Sequence, residues 1–159
     1  MTSEPLLLDG FITRPAAEKD LPRLADFEIE IARISFPGDP VTDPQVHIKK
    51  LAKAMQKDPE GMFVLDRGGE IAGWLWITIN ANFMTGERYA TFRSFAVAAD
   101  LRGTPIPEAF FRFGLDYCCQ KEVVRATGKV HVQNMAMRSL YKAVGFEAKH
   151  LTMEIDICR

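Results

Sequence analysis

The hydrophobic positions change period along the chain, and that change divides it into elements. Residues 1–10 read as an N-terminal tail, and Phe11-Ile12-Thr13-Arg14-Pro15 as a short strand that stops where proline removes a ladder donor. Leu21, Leu24, Phe27, Ile31 and Ile34 then recur three and four apart, one face of a helix with Asp20 as its cap and Pro22 tolerated in the first turn. Ile48, Leu51, Ala52 and Met55 repeat that spacing in a second helix, opened by Thr42 or Asp43 ahead of Pro44 and closed near Asp58-Pro59.

From Met62 the period becomes two. Residues 62–66, a Gly68-Gly69 turn and residues 71–79 predict a hairpin with Ile71, Leu75, Ile77 and Ile79 on one face and Trp74 and Trp76 on the other, so both faces of the sheet are covered. After a turn at Thr85-Gly86, residues 89–97 form a further strand. Its bulky residues switch phase, Phe92 on one parity and Phe95 and Val97 on the other, and a β-bulge near Arg93 and Ser94 accounts for the slip. A helix from Glu108 to about Glu122 carries two apolar rows, Phe110, Phe113, Tyr117 and Phe111, Leu115, Cys118, and is expected to be buried more deeply than the first two. A strand over 126–132, a short helix over 135–143 ended by Gly145, and a final strand or bent strand pair over 146–157 complete the chain. The order is β-α-α-β-β-β-α-β-α-β: a mixed α/β (α+β) single domain over residues 11–159, its sheet mostly antiparallel and flanked by helices. The strands on either side of the long helix are expected to be parallel.

Composition narrows the function. A chain of 159 residues with 47% apolar and 26% charged residues is one globular domain with its own core, which excludes disorder and coiled coil. Lysine and arginine total 20 against 21 acids, and no window is strongly single-signed, so the basic footprint of a nucleic-acid binder is missing. The N-terminal apolar run is only Leu6-Leu7-Leu8, preceded by Glu4, and neither a signal peptide nor a membrane span is expected. Cys118 and Cys119 are adjacent and Cys158 is next to last. They suit neither a disulfide framework nor zinc spacing, which points to the cytoplasm and to no metal. Cys118 and Cys119 on a core helix read as small buried hydrophobes.

Two segments carry candidate chemistry. Residues 95–107 run from a strand through Arg102-Gly103-Thr104-Pro105-Ile106-Pro107 into a long helix, a junction that aims free N–H groups and the positive end of the helix dipole at one point and suits a phosphate or pyrophosphate. The second is Val132-Gln133-Asn134 followed by Leu140-Tyr141-Lys142-Ala143-Val144-Gly145-Phe146, a strand end, a short helix carrying a tyrosine, and a Gly-Phe stop.

Together these segments resemble the GCN5-related N-acetyltransferase (GNAT) superfamily, in which Asn134, Leu140, Tyr141, Gly145 and Phe146 match the later helix, and the upstream order of elements agrees from about Phe11 onward. The resemblance implies acetyl-CoA as acyl donor, with no metal, and direct transfer to a primary amine of a small molecule or peptide. It implies that Phe95, Val97, Arg102, Gly103, Thr104, Ile106, Asn134 and Tyr141 bind the donor and that Tyr141 protonates the departing thiolate. It leaves a homodimer open. Pro105 and Pro107 stand where that family has glycine or alanine, and each removes an N–H by covalent necessity, leaving the amides of Gly103, Thr104, Ile106, Glu108 and Ala109. The strand offers Thr91 and Arg93 where a basic carboxylate would be looked for, so His131 or a water chain is the substitute base. Glu28, Glu30 and the loop 36–43 sit where the family shapes its acceptor pocket, although a helix acid is ordinarily solvated. The competing class is a catalytically weak ligand-binding or interaction module of the same fold; an unrelated α/β domain binding some other phosphorylated ligand leaves the Asn134 to Phe146 pattern unexplained.

Overall fold

In the computed structural model, which describes residues 7, 8 and 10–158, six strands form one sheet in sequence order. They are β1 (Leu7–Leu8), β2 (Phe11–Pro15), β3 (Met62–Arg67), β4 (Glu70–Ala81), β5 (Arg88–Val97) and β6 (Arg125–Gly128). The helices are α1 (Leu21–Ser35), α2 (Pro44–Lys57), α3 (Ile106–Gln120) and α4 (Met135–Ala143). Strands β1 to β5 pair antiparallel, and β6 returns parallel to β5 after α3, as the crossover requires.

Each face of the sheet has its own core. Leu21, Leu24 and Phe27 of α1 and Leu51 of α2 pack on Met62, Val64, Trp74 and Trp76. On the other face Phe110, Phe111, Phe113, Tyr117 and Cys118 of α3 and Tyr141 of α4 pack on Leu65, Leu75, Ile77, Ala90 and Phe92. The predicted bulge is present: Trp76 pairs with Ser94 but Ile77 pairs with Phe92, leaving Arg93 as the extra residue.

A second bulge corrects the predicted hairpin. Leu65 pairs with Gly73 and Asp66 with Ile71, so Ala72 is inserted and Ile71 turns to the α1 face, away from Leu75 and Ile77. Asp20 does not cap α1. Its carboxylate instead accepts two bonds from the Arg14 guanidinium, at 2.8 and 2.9 Å, and the N–H of Ala17 at 2.8 Å. Asp43, not Thr42, caps α2 by accepting the Gln45 N–H at 2.9 Å. Ile34 is exposed because it lies on the last turn of α1, past the sheet it was expected to cover.

The ends of the chain depart most from expectation. The tail contains β1, paired with β2. Strand β6 stops at Gly128 rather than at Val132, and no strand follows α4 among the described residues. Leu151, Met153, Ile155 and Ile157 alternate as a strand would, yet all are exposed. Alternation states which residues a strand would bury, but a strand also needs a neighbour to supply the ladder, and among the described residues no strand pairs with this segment. No helix among the described residues is long and apolar enough to cross a membrane.

Candidate functional site

Tyr141 is positioned by the way its helix stops. Gly145 adopts φ 98°, the left-handed conformation that glycine takes without strain. The N–H of Phe146 then donates to Tyr141 O at 2.8 Å and that of Gly145 to Lys142 O at 3.1 Å. This is a Schellman motif, completed by its apolar contact, since the rings of Phe146 and Tyr141 lie 4.7 Å apart. Phe111 meets both rings at 5.7 Å. The spacing of Tyr141, Gly145 and Phe146 is therefore the spacing of a helix terminus that orients a tyrosine.

The hydroxyl of Tyr141 ends over Gly128. A Cβ at Gly128 would lie 2.0 Å from that oxygen and 2.7 Å from Cζ, so only glycine admits the ring. Gly128 and Phe92 form the last rung between β5 and β6, and beyond it the β5 edge from Arg93 to Val97 has no partner on that side among the described residues. The hydroxyl bonds to no described residue and is not sealed from solvent. Burial pushes its pKa up to about 12, which keeps it a neutral hydrogen-bond donor at any ordinary pH.

The junction into α3 is more occupied than its sequence suggests. Helix α3 begins at Ile106, two residues earlier than expected, with Pro105 as its N-cap and Pro107 in the first turn. The N–H of Thr104 donates to Leu101 O at 3.2 Å, that of Ile106 to Thr104 Oγ1 at 3.3 Å, and that of Ala109 to Pro105 O at 3.1 Å. The Thr104 hydroxyl donates to Leu101 O at 2.6 Å. Among the described residues only the Gly103 and Glu108 amides of the five are left without an acceptor. Arg102 turns from the loop to form an ion pair with Glu30 of α1.

Other candidates are drawn into structure. His131 lies in the turn after β6 rather than in a buried strand, because β6 is only four residues long. Its Nδ1 accepts the N–H of Gln133 at 3.1 Å. Asn134 caps α4, its Oδ1 accepting the Met137 N–H at 3.1 Å. The Phe95 ring packs between Phe110 and Phe111, and Val97 is buried and pairs with Gly73, so these two offer a backbone edge rather than side chains. Burial pushes the Cys118 thiol up to about 12, which keeps it protonated within the core.

On the opposite face of the sheet the bulge meets a buried carboxylate. Glu28 of α1 is 8% exposed. Its Oε1 accepts the Trp74 indole N–H at 2.9 Å and the Ser94 hydroxyl at 2.5 Å. This departs from the solvated acid that was expected. The signal was in the spacing, because Glu28 stands four residues after Leu24 and seven after Leu21, on the buried stripe. The more obvious concavities lie elsewhere: one of about 410 Å³ is bordered by Glu60, Arg88, Tyr117 and Lys121, and one of about 170 Å³ by Tyr89, Arg125 and His150. Neither contains Tyr141. Among the described residues no group of three His, Cys, Asp or Glu side chains is placed to hold a metal.

Comparison with known proteins converges on the same frame. Mycothiol acetyltransferase of Streptomyces griseus is 29% identical over 100 residues, 63% of this chain but 30% of the relative, so the chain spans about a third of that protein. A transcriptional regulator from Bacillus halodurans superposes with a TM-score of 0.77 at 18% identity, covering 92% of this chain and 99% of its own. A ribosomal-protein-alanine N-acetyltransferase from Brucella melitensis superposes with a TM-score of 0.71 at 16% identity, covering 93% and 99%. At such identities the superpositions establish the fold alone. Residues 25–146, which include α1, the bulge, the α3 junction and the tyrosine helix, match the sequence profile of the Acetyltransferase (GNAT) family, and the chain belongs to that family.

Proposed function

We propose that this protein transfers an acetyl group from acetyl-CoA directly to a primary amine of a small molecule or peptide. The observation that carries the reading is the Tyr141 hydroxyl, held over Gly128 at the last rung between β5 and β6 with no acceptor among the described residues. Bound there, acetyl-CoA would supply an activated acyl thioester. The residues fit it: the open β5 edge from Arg93 to Val97 offers backbone groups to an extended amide chain, and Gly103 and Glu108 offer two N–H groups at the positive end of α3 to a pyrophosphate. The bulge leaves Arg93 without a partner on β4, next to the open edge, where a backbone N–H can meet developing negative charge.

Tyr141 assists the departing thiolate. With its pKa near 12 against about 8.5 for a free thiol, complete proton transfer would be uphill by about 5 kcal/mol, so Tyr141 acts by donating a hydrogen bond that shortens as charge develops. Three free cysteines support a cytoplasmic setting.

A binding module with little catalysis is the second reading, favoured by the Arg102–Glu30 pair and by the two prolines, which together leave the pyrophosphate end short of donors. Calorimetric titration with acetyl-CoA and CoA, followed by thiol release with a panel of primary amines, separates the two. Saturable acetyl-CoA binding with amine-dependent thiol release supports the enzyme, and binding without release supports the module. Absence of any acyl-CoA binding defeats the enzyme and puts an interaction module of the same fold in the lead.

A further inference from the structure

Glu28 is a buried acid with no ion-pair partner among the described residues. Both of its bonded partners, Trp74 Nε1 and Ser94 Oγ, are neutral donors, and both use Oε1. Its Oε2 bonds to no described residue, and yet is not sealed from solvent. Nearby cations are committed elsewhere: Arg93 and Lys50 lie over the Trp76 ring at 5.0 and 5.9 Å, and Arg102 pairs with Glu30. Burying a carboxylate is costly unless a cation or a full set of donors offsets it, and here one oxygen has two donors and the other has none. The Ser94 contact, at 2.5 Å, is at the short end for a hydroxyl donor and fixes Oε1 at the bulge.

Its location gives that exposed oxygen a purpose. Ser94 belongs to the bulge, and Glu28 approaches the bulge from the α1 face, whereas Tyr141 approaches the neighbouring last rung from the α3 face. The unpaired stretch of β5 edge therefore runs between a hydrogen-bond donor on one face of the sheet and a carboxylate oxygen on the other.

We infer that Glu28 receives the ammonium group of the acceptor amine at Oε2 and takes one proton from it, with Trp74 and Ser94 holding Oε1 in place. The step balances: R–NH3+ and the carboxylate become R–NH2 and a neutral carboxyl, the nitrogen regains the lone pair that attack requires, and the proton passes from Glu28 to water after the transfer. This role deepens the acetyltransferase reading and rests on it for the chemistry, but not for the binding of the cation. It assigns to a helix the duty for which Thr91 and Arg93 of β5 offer no carboxylate, in place of His131, whose Nδ1 already accepts the Gln133 N–H.

The chain's two tryptophans, Trp74 and Trp76, both stand on this face and report it by fluorescence. With CoA present to prevent turnover, n-butylammonium is expected to change the emission saturably, whereas tetramethylammonium, which has no N–H to donate, is not. In Glu28→Gln, whose amide oxygen still accepts from Trp74 and Ser94, n-butylammonium should bind at least about tenfold more weakly while CoA affinity is unchanged. In turnover the same variant should lose about a hundredfold with an alkyl amine and little with hydroxylamine, which is already neutral at the assay pH and needs no proton removed. Equal responses to the two cations in the wild type, or equal n-butylammonium affinity in Glu28→Gln, overturn the assignment; should that variant not fold, the two-cation comparison on the wild type decides alone. Ammonium binding without any acetyl-CoA binding would instead defeat the acetyltransferase reading and leave the cation site standing.

Discussion

Gly128→Ala tests whether the tyrosine is placed for chemistry or merely packed. The added methyl would stand 2.0 Å from the Tyr141 hydroxyl oxygen, where ordinary contact begins at 3.4 Å, so the oxygen or the strand must move by about 1.4 Å. The ring cannot yield easily, because Phe111 and Phe146 flank it and the Schellman bonds fix its backbone. Overpacking of this kind costs about 1–3 kcal/mol, a fall of several degrees in Tm for a domain of this size. Displacement of about an ångström at a reacting group costs on the order of a hundredfold in turnover, so kcat should fall while acetyl-CoA affinity changes little. Tyr141→Phe, which removes the hydroxyl alone, should lower turnover about ten- to a thousandfold with the fold intact. The two changes should not add. Without the hydroxyl the 2.0 Å clash disappears and only the 2.7 Å contact with Cζ remains, so the double variant should be more stable than Gly128→Ala and turn over no more slowly than Tyr141→Phe. Thermal melts and single-turnover kinetics on the four proteins decide it. Wild-type turnover in either single variant, or strictly additive losses, would refute the argument.

Four further outcomes are expected. Arg14→Ala leaves Asp20, 4% exposed, without its cation, which should cost about 3–5 kcal/mol in denaturant unfolding. Burial works to raise the Asp20 pKa but Arg14 and the Ala17 N–H outweigh it, and Asp66 is lowered chiefly by Arg14, so both contribute stability above their unfolded pKa of about 3.9. That contribution is lost as pH falls through their lower folded values, and unfolding curves of Arg14→Ala should show a weaker acid limb. At the other extreme, burial raises Tyr117, Tyr141 and Cys118 to about 12 each, so stability should decline as pH climbs from about 9 toward 12. Replacing Pro105 and Pro107 together by glycine should lower apo stability by about 0.4–1 kcal/mol per site yet tighten CoA binding, and calorimetry showing both quantities fall would mean the prolines preorganise the loop. Glu30→Gln releases Arg102 from an exposed pair worth at most about 1 kcal/mol, so melting should barely shift while CoA affinity rises several-fold; unchanged affinity would remove Arg102 from the phosphate site.

What the sequence determined by itself lies in short-range patterning. Periods of three to four and of two located α1 to α4 and β2 to β5, the parity break at Phe92 and Phe95 located the bulge, and Gly145-Phe146 announced a helix stop, because each of these is settled by residues within a turn or a strand of one another. What only the tertiary structure decided depends on partners distant in sequence. Whether 146–157 pairs is decided by the presence of a neighbouring strand edge and not by its own alternation, and Ile71 changes face because of a bulge registered against Asp66. The amides of Thr104 and Ile106 read as free until the loop folds back on Leu101 and Thr104. Glu28 meets Trp74 and Ser94 from 46 and 66 residues away, and Gly128 earns its identity from a ring thirteen residues later that descends on it from another element. Burial and hydrogen bonding are properties of the assembled layers, so a side chain's chemistry, unlike its periodicity, exists only once α1 and α4 have closed on opposite faces of the sheet.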